Sequence, residues 1–470
     1  MEVNITRENN TITVQFSGRM DTPAAQEITP QMNALAEEAS GTIILDCTEL
    51  TYISSTGLRI FLTLRKAAAE KGGKVIICNI CDDIRSVFMM TGFLNLFEIQ
   101  SYKKGSSNEN KTLMNIAALV SGGVDSSVMV PLLKEQGYDP HIVYNKIGMA
   151  VKEDLSSCPS EEDIEITTYI AKKYGCQFDI VDLQHEYFET VGKYTMEMVR
   201  KGLTPNPDVM CNRWIKLGAF EEKEGHNFDK IATGHYARSW EDENGIFWLG
   251  TAADTFKDQT YFLGRITYAQ LSKVIFPIGD LPKPEVRRLA AQYKLPSAER
   301  HDSQGICFLG KINYNDYIRE YVGEMPGDIV EMETGKKLGR HKGFWFHTIG
   351  QRKGLGLGGG PWFVVKKDIP NNIIYVSQGY DPVAQYTNIV PLGDLQPMNP
   401  ALQFVDGQRI RFKIRHQPEF TYGTIRLTER GADIVSDVAI SGVAPGQFGV
   451  VYHEVEPYVV GSGVICEGER

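Results

Sequence analysis

Long apolar segments are missing from this sequence, and cysteine is scarce. No run is long and apolar enough to span a membrane. The N-terminal residues Met-Glu-Val-Asn-Ile lack the basic and then apolar pattern of a secretory signal. Eight cysteines among 470 residues are too few for a disulfide framework. We therefore expect a cytoplasmic protein without membrane contact, in which a special cysteine serves catalysis or metal binding.

Excess positive charge is also missing. The formal net charge is −10 at pH 7, which argues against a non-specific nucleic-acid binder because such binding needs cations that neutralise phosphates. A local basic face is compatible with this total. With 42% hydrophobic and 23% charged residues, the composition is that of a soluble globular protein. The length predicts about three domains.

A Gly- and Ser-rich stretch, Ser121-Gly-Gly-Val-Asp-Ser-Ser127, stands between a short apolar run and a helical pattern. The run Ile116–Val120 predicts a buried strand, and the apolar spacing after Ser127 predicts a helix. Such a turn presents backbone N–H groups and the positive end of a helix dipole to an anion. The stretch resembles the PP-loop of ATP pyrophosphatases, which use ATP to form an adenylate. An ordinary strand-to-helix turn is the alternative.

Residues 1–104 have the pattern of a separate α/β unit. The predicted strands are Thr11–Ser17, Thr42–Asp46 and Lys74–Cys78, and the predicted helices are Pro23–Ala39, with a kink or break at Pro30, Thr56–Lys71 and Asp82–Met90. This order, with Ser54-Ser-Thr-Gly-Leu58 opening a helix, resembles the STAS domain of anti-sigma-factor antagonists.

In the STAS family, a partner kinase phosphorylates a serine at the start of this helix. The resemblance therefore implies Ser55 as a phosphosite and a STAS-binding kinase or regulator as a partner. The family usually has Asp immediately before that serine, whereas this chain has Ser54. The alternative is that Ser54 or Ser55 only caps the helix.

The rest of the chain changes character twice. After a polar, aperiodic stretch that predicts a linker, strands and helices alternate, which predicts a parallel sheet with helices on both faces. Beyond about residue 311, basic and aromatic residues cluster, and after about residue 381 short strands predict a β-barrel or sandwich. The basic residues are Lys336, Lys337, Arg340, His341, Lys342, Arg352 and Lys353, and the aromatics among them are Phe344, Trp345, Phe346 and Trp362.

Short motifs follow one another through this longer part of the chain. They are Ser121–Ser127, Asn206-Pro-Asp-Val-Met-Cys-Asn212, Ala232-Thr-Gly-His-Tyr236, Lys257-Asp-Gln-Thr-Tyr-Phe262, Asp302-Ser-Gln-Gly-Ile-Cys-Phe308, Thr348-Ile-Gly-Gln-Arg-Lys-Gly-Leu-Gly356 and Ala444-Pro-Gly-Gln447. Together they resemble the bacterial tRNA-specific 2-thiouridylase family. The resemblance implies an α/β multidomain protein with a STAS-like domain (1–104), a linker (105–112), a PP-loop catalytic domain (113–312), a central tRNA-binding domain (313–380) and a C-terminal β-barrel (381–470).

That resemblance implies an enzyme that uses ATP and Mg²⁺ to adenylate the C2 oxygen of the wobble uridine of tRNA. Sulfur from a cysteine persulfide then replaces the oxygen, with release of AMP and pyrophosphate. Cys307 is implied as the persulfide carrier, Cys211 as its partner in a later disulfide, and Asp208 as a proton shuttle beside the base. The implied partners are tRNA and a persulfide donor, either a cysteine desulfurase or a sulfur carrier protein.

The resemblance also implies two sets of binding residues. The nucleotide set is Leu119, Val120, Ser121, Gly122, Gly123, Val124, Asp125, Ser126, Asn145 and Gly234, although Asn145 stands where the family has a nucleotide-contacting Met. The set for tRNA or its target base is Asn206, Pro207, Asp208, His235, Lys257, Asp258, Gln259, Arg415, His416 and Gln447.

Less specific interpretations remain for several of these residues. Each cysteine alone is compatible with a buried core thiol, and His235 with a core histidine. The clustered aromatics either stack on flipped-out bases or form the core of a small domain. For the whole chain, the alternatives are a PP-loop ligase acting on an acceptor other than tRNA and a regulatory scaffold centred on the STAS-like unit.

Overall fold

The structure is a computed structural model that describes residues 1–8, 11–80, 84, 88, 93, 96–100, 114–147, 159–301, 314–379 and 386–468. The predicted linker and the predicted site residue Cys307 lie outside these residues, as does most of the predicted helix Asp82–Met90. The chain divides into two compact units, Met1–Thr112 and Leu113–Arg470, and each is described by itself.

The first unit is a five-stranded sheet in the order β1-β2-β3-β4-β5, antiparallel between β1 and β2 and parallel elsewhere. Two helices pack their apolar faces into the same core as the strands, which includes Phe16, Leu45 and Phe61. The elements are β1 (Glu2–Glu8), β2 (Thr11–Met20), α1 (Thr22–Glu37), β3 (Thr42–Ile53), α2 (Ser55–Glu70), β4 (Lys74–Cys78) and β5 (Glu98–Gln100).

Two elements of this unit differ from the sequence prediction. Strand β3 continues past Asp46 to Ile53. Register shifts against β2 widen the spacing of its buried residues there, so the sequence lacks the alternation that predicts a strand. Helix α1 runs through Pro30 as one helix. Its buried residues Ile28, Met32 and Leu35 lie on both sides of the proline and hold both halves against the core.

Helix α2 begins with a side-chain cap. The hydroxyl oxygen of Ser54, the N-cap residue, accepts a hydrogen bond from the backbone N–H of Gly57 at 3.3 Å. Ser54 is buried, whereas Ser55, the first helical residue, is exposed. The capping role that the sequence left open between two serines therefore belongs to Ser54.

The second unit is built on a five-stranded parallel sheet in the order β12-β9-β6-β7-β8, in which β6 is central. Its strands are β6 (Ile116–Leu119), β7 (His141–Lys146), β8 (Phe178–Asp182), β9 (Lys230–Thr233) and β12 (Val274–Ile275), and a separate hairpin pairs β10 (Ala237–Glu241) with β11 (Phe247–Thr251). Successive strands are added on one side of β6 (β7, β8) and then on the other (β9, β12), and ligands bind at such a reversal in sheets of this type.

Helices connect these strands, and the connection from β8 to β9 contains two π-helical segments, which recur at functional sites. The α-helices are α3 (Val124–Glu135), α4 (Pro159–Tyr174), α5 (Gln184–Tyr187), α6 (Lys193–Arg200), α7 (Pro207–Cys211), α8 (Phe220–Lys223), α9 (Thr260–Leu263), α10 (Tyr268–Lys273), α11 (Lys283–Gln292) and α12 (Tyr314–Val322). The π-helical segments are Phe188–Gly192, between α5 and α6, and Asn212–Ala219, between α7 and α8.

Two smaller β structures complete the second unit. A four-stranded sheet has the order β14-β13-β16-β15, and a closed barrel has the order β17-β20-β19-β18-β21-β22. Their strands are β13 (Gly327–Glu331), β14 (Lys337–His341), β15 (Trp362–Asp368), β16 (Ile373–Gln378), β17 (Tyr386–Pro397), β18 (Arg409–Lys413), β19 (Thr421–Thr428), β20 (Gly431–Ser441), β21 (Phe448–His453) and β22 (Val459–Ile465).

The barrel and the parallel sheet share a core. Phe448, Val450 and Tyr452 of β21 belong to the same apolar cluster as Ala117 of β6 and Val143 of β7. Across this interface, Nζ of Lys413 donates to Asp258 at 3.0 Å, and both side chains are only 1% exposed. The barrel is therefore packed onto the sheet as part of one folded body.

The predicted α/β multidomain fold with a parallel-sheet domain and a C-terminal barrel is confirmed, whereas the exact domain boundaries stay predictions. Within the described ranges, no helix is both long and apolar enough to cross a membrane.

We expect the substitution Ser54→Ala to lower the stability of α2 by about 1 kcal/mol, because Gly57 N–H loses its capping partner. Hydrogen exchange of peptides from the start of α2 measures this, and faster exchange is the expected result. The neighbouring substitution Ser55→Ala is the control and should leave exchange nearly unchanged. Equal acceleration by both substitutions would contradict the assignment of the cap to Ser54.

Candidate active site

The turn after β6 is shaped by its own serines. The hydroxyl of Ser126 accepts the backbone N–H of Ser121 at 3.1 Å, and the hydroxyl of Ser127 donates to the carbonyl of Gly123 at 2.7 Å. Helix α3 begins within this stretch at Val124, and its N-cap residue Gly123 provides no side-chain cap. The first N–H groups of α3 are therefore left for an anion at the carboxyl edge of the sheet.

Gly122 requires the absence of a side chain. Its φ of +75° is a left-handed conformation, and a Cβ there would lie 2.8 Å from Cα of Asp163 in α4. Arg300 fixes this contact, because its Nη1 donates to the Gly122 carbonyl at 3.0 Å and to Oδ1 of Asp163 at 2.6 Å. Burial raises the pKa of Asp163, and Arg300 partly offsets the shift.

The end of β9 is pressed against the same turn. A Cβ on Gly234 would lie 2.7 Å from the backbone nitrogen of Ser126 and 2.8 Å from its Cα. Backbone cannot yield in the way that a flexible side chain can. The structure thus brings Gly234 to the turn that holds the predicted residues from Ser121 to Ser126.

Asp125 forms an ion pair that the sequence analysis did not anticipate. Its Oδ1 and Oδ2 accept Nζ of Lys283 at 2.6 and 2.8 Å, and its Oδ1 also accepts the hydroxyl of buried Tyr236 at 2.8 Å. Lys283 is the first residue of α11, and its backbone N–H donates to Asp254 at 2.8 Å. Lys283 and Arg300 were missed because the pattern around each predicts only an amphipathic helix and the loop after it.

Asn145 lies near the end of β7, the strand that neighbours β6 in the sheet. Neither Oδ1 nor Nδ2 of its buried amide has a hydrogen-bond partner among the residues that the structure describes. A buried amide without partners costs stability unless a ligand or water satisfies it. This residue, at the position where the family has Met, therefore offers hydrogen bonds to a bound molecule.

Cys211 ends the short helix α7. Asn206 caps this helix by accepting the Val209 N–H at 3.2 Å, and its Nδ2 donates to Oε1 of Gln447 at 3.0 Å. The Gln447 Nε2 donates in turn to the Pro205 carbonyl at 2.8 Å. The barrel thus holds the loop that leads into the cysteine helix.

The burial of Cys211 does not decide between the two interpretations of its role. Its side chain is 5% exposed within an apolar cluster, which fits a core thiol and also a protected reactive thiol. The predicted neighbours Pro207 and Asp208 lie on the same helix. The predicted approach of Cys211 to Cys307 stays a prediction, because Cys307 lies outside the described residues.

His235 follows Gly234 and is half-buried. Its Nδ1 lies 3.0 Å from Oγ1 of Thr233, and its ring meets the edge of Phe276. Burial lowers the pKa of His235 to about 3, and nearby Lys216 adds to the shift. The imidazole is therefore neutral at physiological pH.

Two other residues predicted to meet tRNA have structural partners. Asp258 is 2% exposed and bonded to Lys413, which favours a structural role for its carboxylate. Gln259 brackets Tyr236, accepting the Tyr236 N–H with its side chain at 3.0 Å and donating its own N–H to the Tyr236 carbonyl at 2.8 Å. Their contacts with tRNA, and those of Lys257, stay predictions.

The remaining predicted residues lie on the barrel. Arg415 and His416 follow β18 and are exposed, and the His416 ring stacks on Phe262 with the ring centres 4.9 Å apart. His416 Nε2 also lies 3.1 Å from the carbonyl of Asp258. The barrel edge that carries them therefore touches the Lys257–Phe262 motif.

The basic and aromatic cluster divides between surface and core. Phe344 and Trp362 are buried in the core of the four-stranded sheet, and Trp345 packs against it, which favours the core interpretation of these aromatics. His341 is buried as well, whereas Lys336, Lys337, Arg340, Lys342, Arg352 and Lys353 are exposed. Two of the exposed lysines are in ion pairs, Lys337 with Asp328 at 2.7 Å and Lys342 with Glu324 at 3.5 Å, and contact of this cluster with tRNA stays a prediction.

Family models match four segments of this chain. They are described as the STAS domain (residues 2–104), the tRNA methyl transferase HUP domain (114–311), the tRNA methyl transferase PRC-barrel domain (315–378) and the aminomethyltransferase beta-barrel domain (396–465). The tRNA-specific 2-thiouridylase MnmA of Parabacteroides distasonis is 60% identical over 356 residues, which cover 75% of this chain and 99% of that protein. The chain belongs to the tRNA-specific 2-thiouridylase family.

Other similarities agree with this family assignment. The protein of the same name from Porphyromonas gingivalis strain W83 is 56% identical over 361 residues, 76% of this chain and 100% of that protein. The 2-thiouridylase relatives are thus matched over their full length, and this chain carries a STAS domain in addition. A solved structure of the phosphorylated Bacillus cell fate determinant SpoIIAA covers 22% of this chain and 93% of its own, at 18% identity and a TM-score of 0.20, too low to support an argument.

We expect Gly234→Ala to weaken ATP binding by at least about tenfold, because the added Cβ forces β9 away from the backbone of Ser126. Calorimetric titration of the full chain with ATP measures this. The matched control is Gly358→Ala, where a Cβ would meet nothing within 4 Å. Unchanged ATP affinity in Gly234→Ala would show that this contact does not shape a nucleotide site.

Acid should destabilise the second unit through His235. The pKa of His235 is about 3 in the folded chain, below its ordinary value of 6.5. Below pH 6.5 the imidazole is therefore protonated in the unfolded chain and stays neutral in the folded chain. Stability is therefore lost as the pH falls from about 6.5, by about 2 kcal/mol at pH 5 for this residue. All five tryptophans lie in the second unit, so their fluorescence follows its unfolding in urea. His235→Gln should lose less stability than the wild type between pH 7 and pH 5, and an equal loss would refute this prediction.

Proposed function

We propose that this chain is a tRNA-uridine 2-sulfurtransferase that converts the wobble uridine of tRNA to 2-thiouridine. The observation that carries the proposal is the connection of Cys211 to the barrel through Asn206 and Gln447, within the same folded unit as the phosphate-binding turn. An enzyme of this kind needs three parts, namely a nucleotide site, a thiol and a surface for tRNA, in one body. Its membership of the 2-thiouridylase family supports the same reaction.

The nucleotide site would activate the substrate. Oxygen at C2 of uridine is a poor leaving group, and its attack on the α-phosphorus of ATP expels pyrophosphate and leaves the oxygen bound to AMP. The N–H groups at the start of α3 would hold the phosphates, since aligned donors stabilise charge that develops there. Asn145, whose amide has no partner within the described ranges, would form hydrogen bonds with the nucleotide.

The residues present fit a magnesium ion bound together with the phosphates. Mg²⁺ in such sites takes one or two carboxylates in addition to phosphate oxygens and water. Asp125, at the start of α3 and 30% exposed, is a carboxylate in the right place. The ion would supply charge neutralisation for the phosphates.

The thiols would complete the exchange. A persulfide on Cys307, loaded by a cysteine desulfurase or a sulfur carrier protein, would attack C2 with its outer sulfur, and AMP would depart with the former oxygen. Cys211 would attack the inner sulfur, which leaves a disulfide between Cys211 and Cys307, and a cellular thiol reductant would reset it. Asp208 would carry the proton, with Asn206, Pro207 and His235 beside the base.

A second proposal concerns the STAS unit. Because Ser54 caps α2, exposed Ser55 is the serine open to a kinase. A phosphate at this helix start would be stabilised by the helix dipole and would add close to two negative charges to the surface. We infer a regulatory or docking role for this unit, tested by phosphopeptide mapping of Ser55.

The main proposal is tested by measuring 2-thiouridine at the wobble position of tRNA by mass spectrometry, in cells that lack the gene and carry one variant each. We expect Cys211→Ser and Cys307→Ser to reduce the modification at least about 100-fold, because each thiol is needed in every turnover. Cys466→Ser, which alters an exposed thiol on the barrel, is the control and should keep it.

The alternatives give different results. A ligase that acts on another acceptor would release pyrophosphate over many turnovers in Cys307→Ser without any tRNA present. A scaffold would leave 2-thiouridine unchanged when the gene is deleted. Either result would reject the proposed sulfur transfer.

A further inference from the structure

Lys283 lies close to the turn that would bind the phosphates of ATP. Its Nζ is bonded to both carboxylate oxygens of Asp125, the second residue of α3. The first N–H groups of α3 form the candidate phosphate cradle. The ammonium of Lys283 is thus joined to the start of α3 through one side chain, that of Asp125. The Lys283 side chain is only 11% exposed.

Stability alone does not account for this ion pair. Helices α3 and α11 already pack through apolar residues of one cluster, Val124, Val128, Val286 and Leu289 among them. A buried ion pair contributes little net stability compared with apolar residues of similar size. The carboxylate of Asp125 is also negative, so it would repel an anion that binds at the start of α3. A pair of opposite charges at this position is better explained by a ligand that contains both a negative and a positive group.

We propose that Lys283 is a ligand of the ATP polyphosphate and that Asp125 holds it in reserve until nucleotide and metal arrive. The inference rests on the proposed function, since it assumes that ATP is used with Mg²⁺. In the resting state the carboxylate and the ammonium neutralise each other. When the magnesium complex of ATP binds, the carboxylate turns to the metal and the ammonium to the phosphates, so that neither charge is left unpaired.

The surroundings allow the side chain to move while the backbone stays in place. Asp254 fixes the backbone N–H of Lys283 at 2.8 Å, and Gln259 holds the backbone of Tyr236, whose hydroxyl donates to Asp125. Lysine suits this exchange, since its ammonium is a point charge on a flexible stem. Arginine would form a two-pronged bond to Asp125 and release it less readily.

Binding of two probes to the full chain tests this role without tRNA or sulfur. The probes are the magnesium complex of ATP and metal-free inorganic pyrophosphate, both titrated calorimetrically. We expect Lys283→Met to weaken both at least about tenfold, and Lys283→Arg to weaken the ATP complex despite its equal charge. Lys230→Met is the control, because Lys230 is the first residue of β9 and lies at the amino end of the sheet. Its Nζ donates to the Ser272 carbonyl at 2.6 Å.

Asp125→Asn gives the sharpest distinction. It should bind metal-free pyrophosphate more tightly than the wild type, since Lys283 is released and a repelling charge is gone, and bind the magnesium complex of ATP more weakly. A merely structural pair would weaken both probes. The double variant Asp125→Asn with Lys283→Met should approach the thermal stability of the wild type, since no unpaired charge remains, while its ATP binding stays weak.

Recovery of ATP binding in the double variant, or normal binding in Lys283→Met, would overturn the role of Lys283 and leave the proposed function standing. Failure of the wild type to bind the magnesium complex of ATP would overturn both. Normal ATP binding without thiolation of tRNA would reject only the sulfur transfer.

Discussion

The close approach of three backbone segments at the turn after β6 is the constraint on which this edge of the second unit depends. Gly122 and Gly234 leave no room for a side chain, because Asp163 and Ser126 already occupy the space that a Cβ would need. Serine hydroxyls close the turn on itself, so that the helix N-terminus points its N–H groups outwards. Strands β6, β7 and β9 then fix the positions of everything else at this edge of the sheet.

The cysteine helix is held by a different part of the fold. A loop before Cys211 is gripped by the barrel through Gln447 and by the four-stranded sheet, whose Lys367 donates to the Gly202 carbonyl at 2.7 Å. The barrel and the four-stranded sheet are therefore both hydrogen-bonded to the segment that leads to the thiol.

Sequence reasoning succeeded where local pattern and local chemistry coincide. The strand and the Gly- and Ser-rich turn from Ile116 to Ser127 are both found at the predicted place, as are the strand Lys74–Cys78 and the start of α2. It failed where distant segments decide the outcome. Strand β3 was cut short because its bulges depend on β2, and Lys283 and Arg300 became visible only when the fold brought them to residues more than a hundred positions away.

The buried pair of Lys413 and Asp258 limits how the barrel could have been exchanged during evolution. A barrel taken from an unrelated protein would bring no lysine to this point and would leave an aspartate carboxylate without a counter-charge in the dry interface. Such a chimera would lose folding stability before its new surface could be selected. The barrel and the parallel sheet thus depend on each other for folding stability.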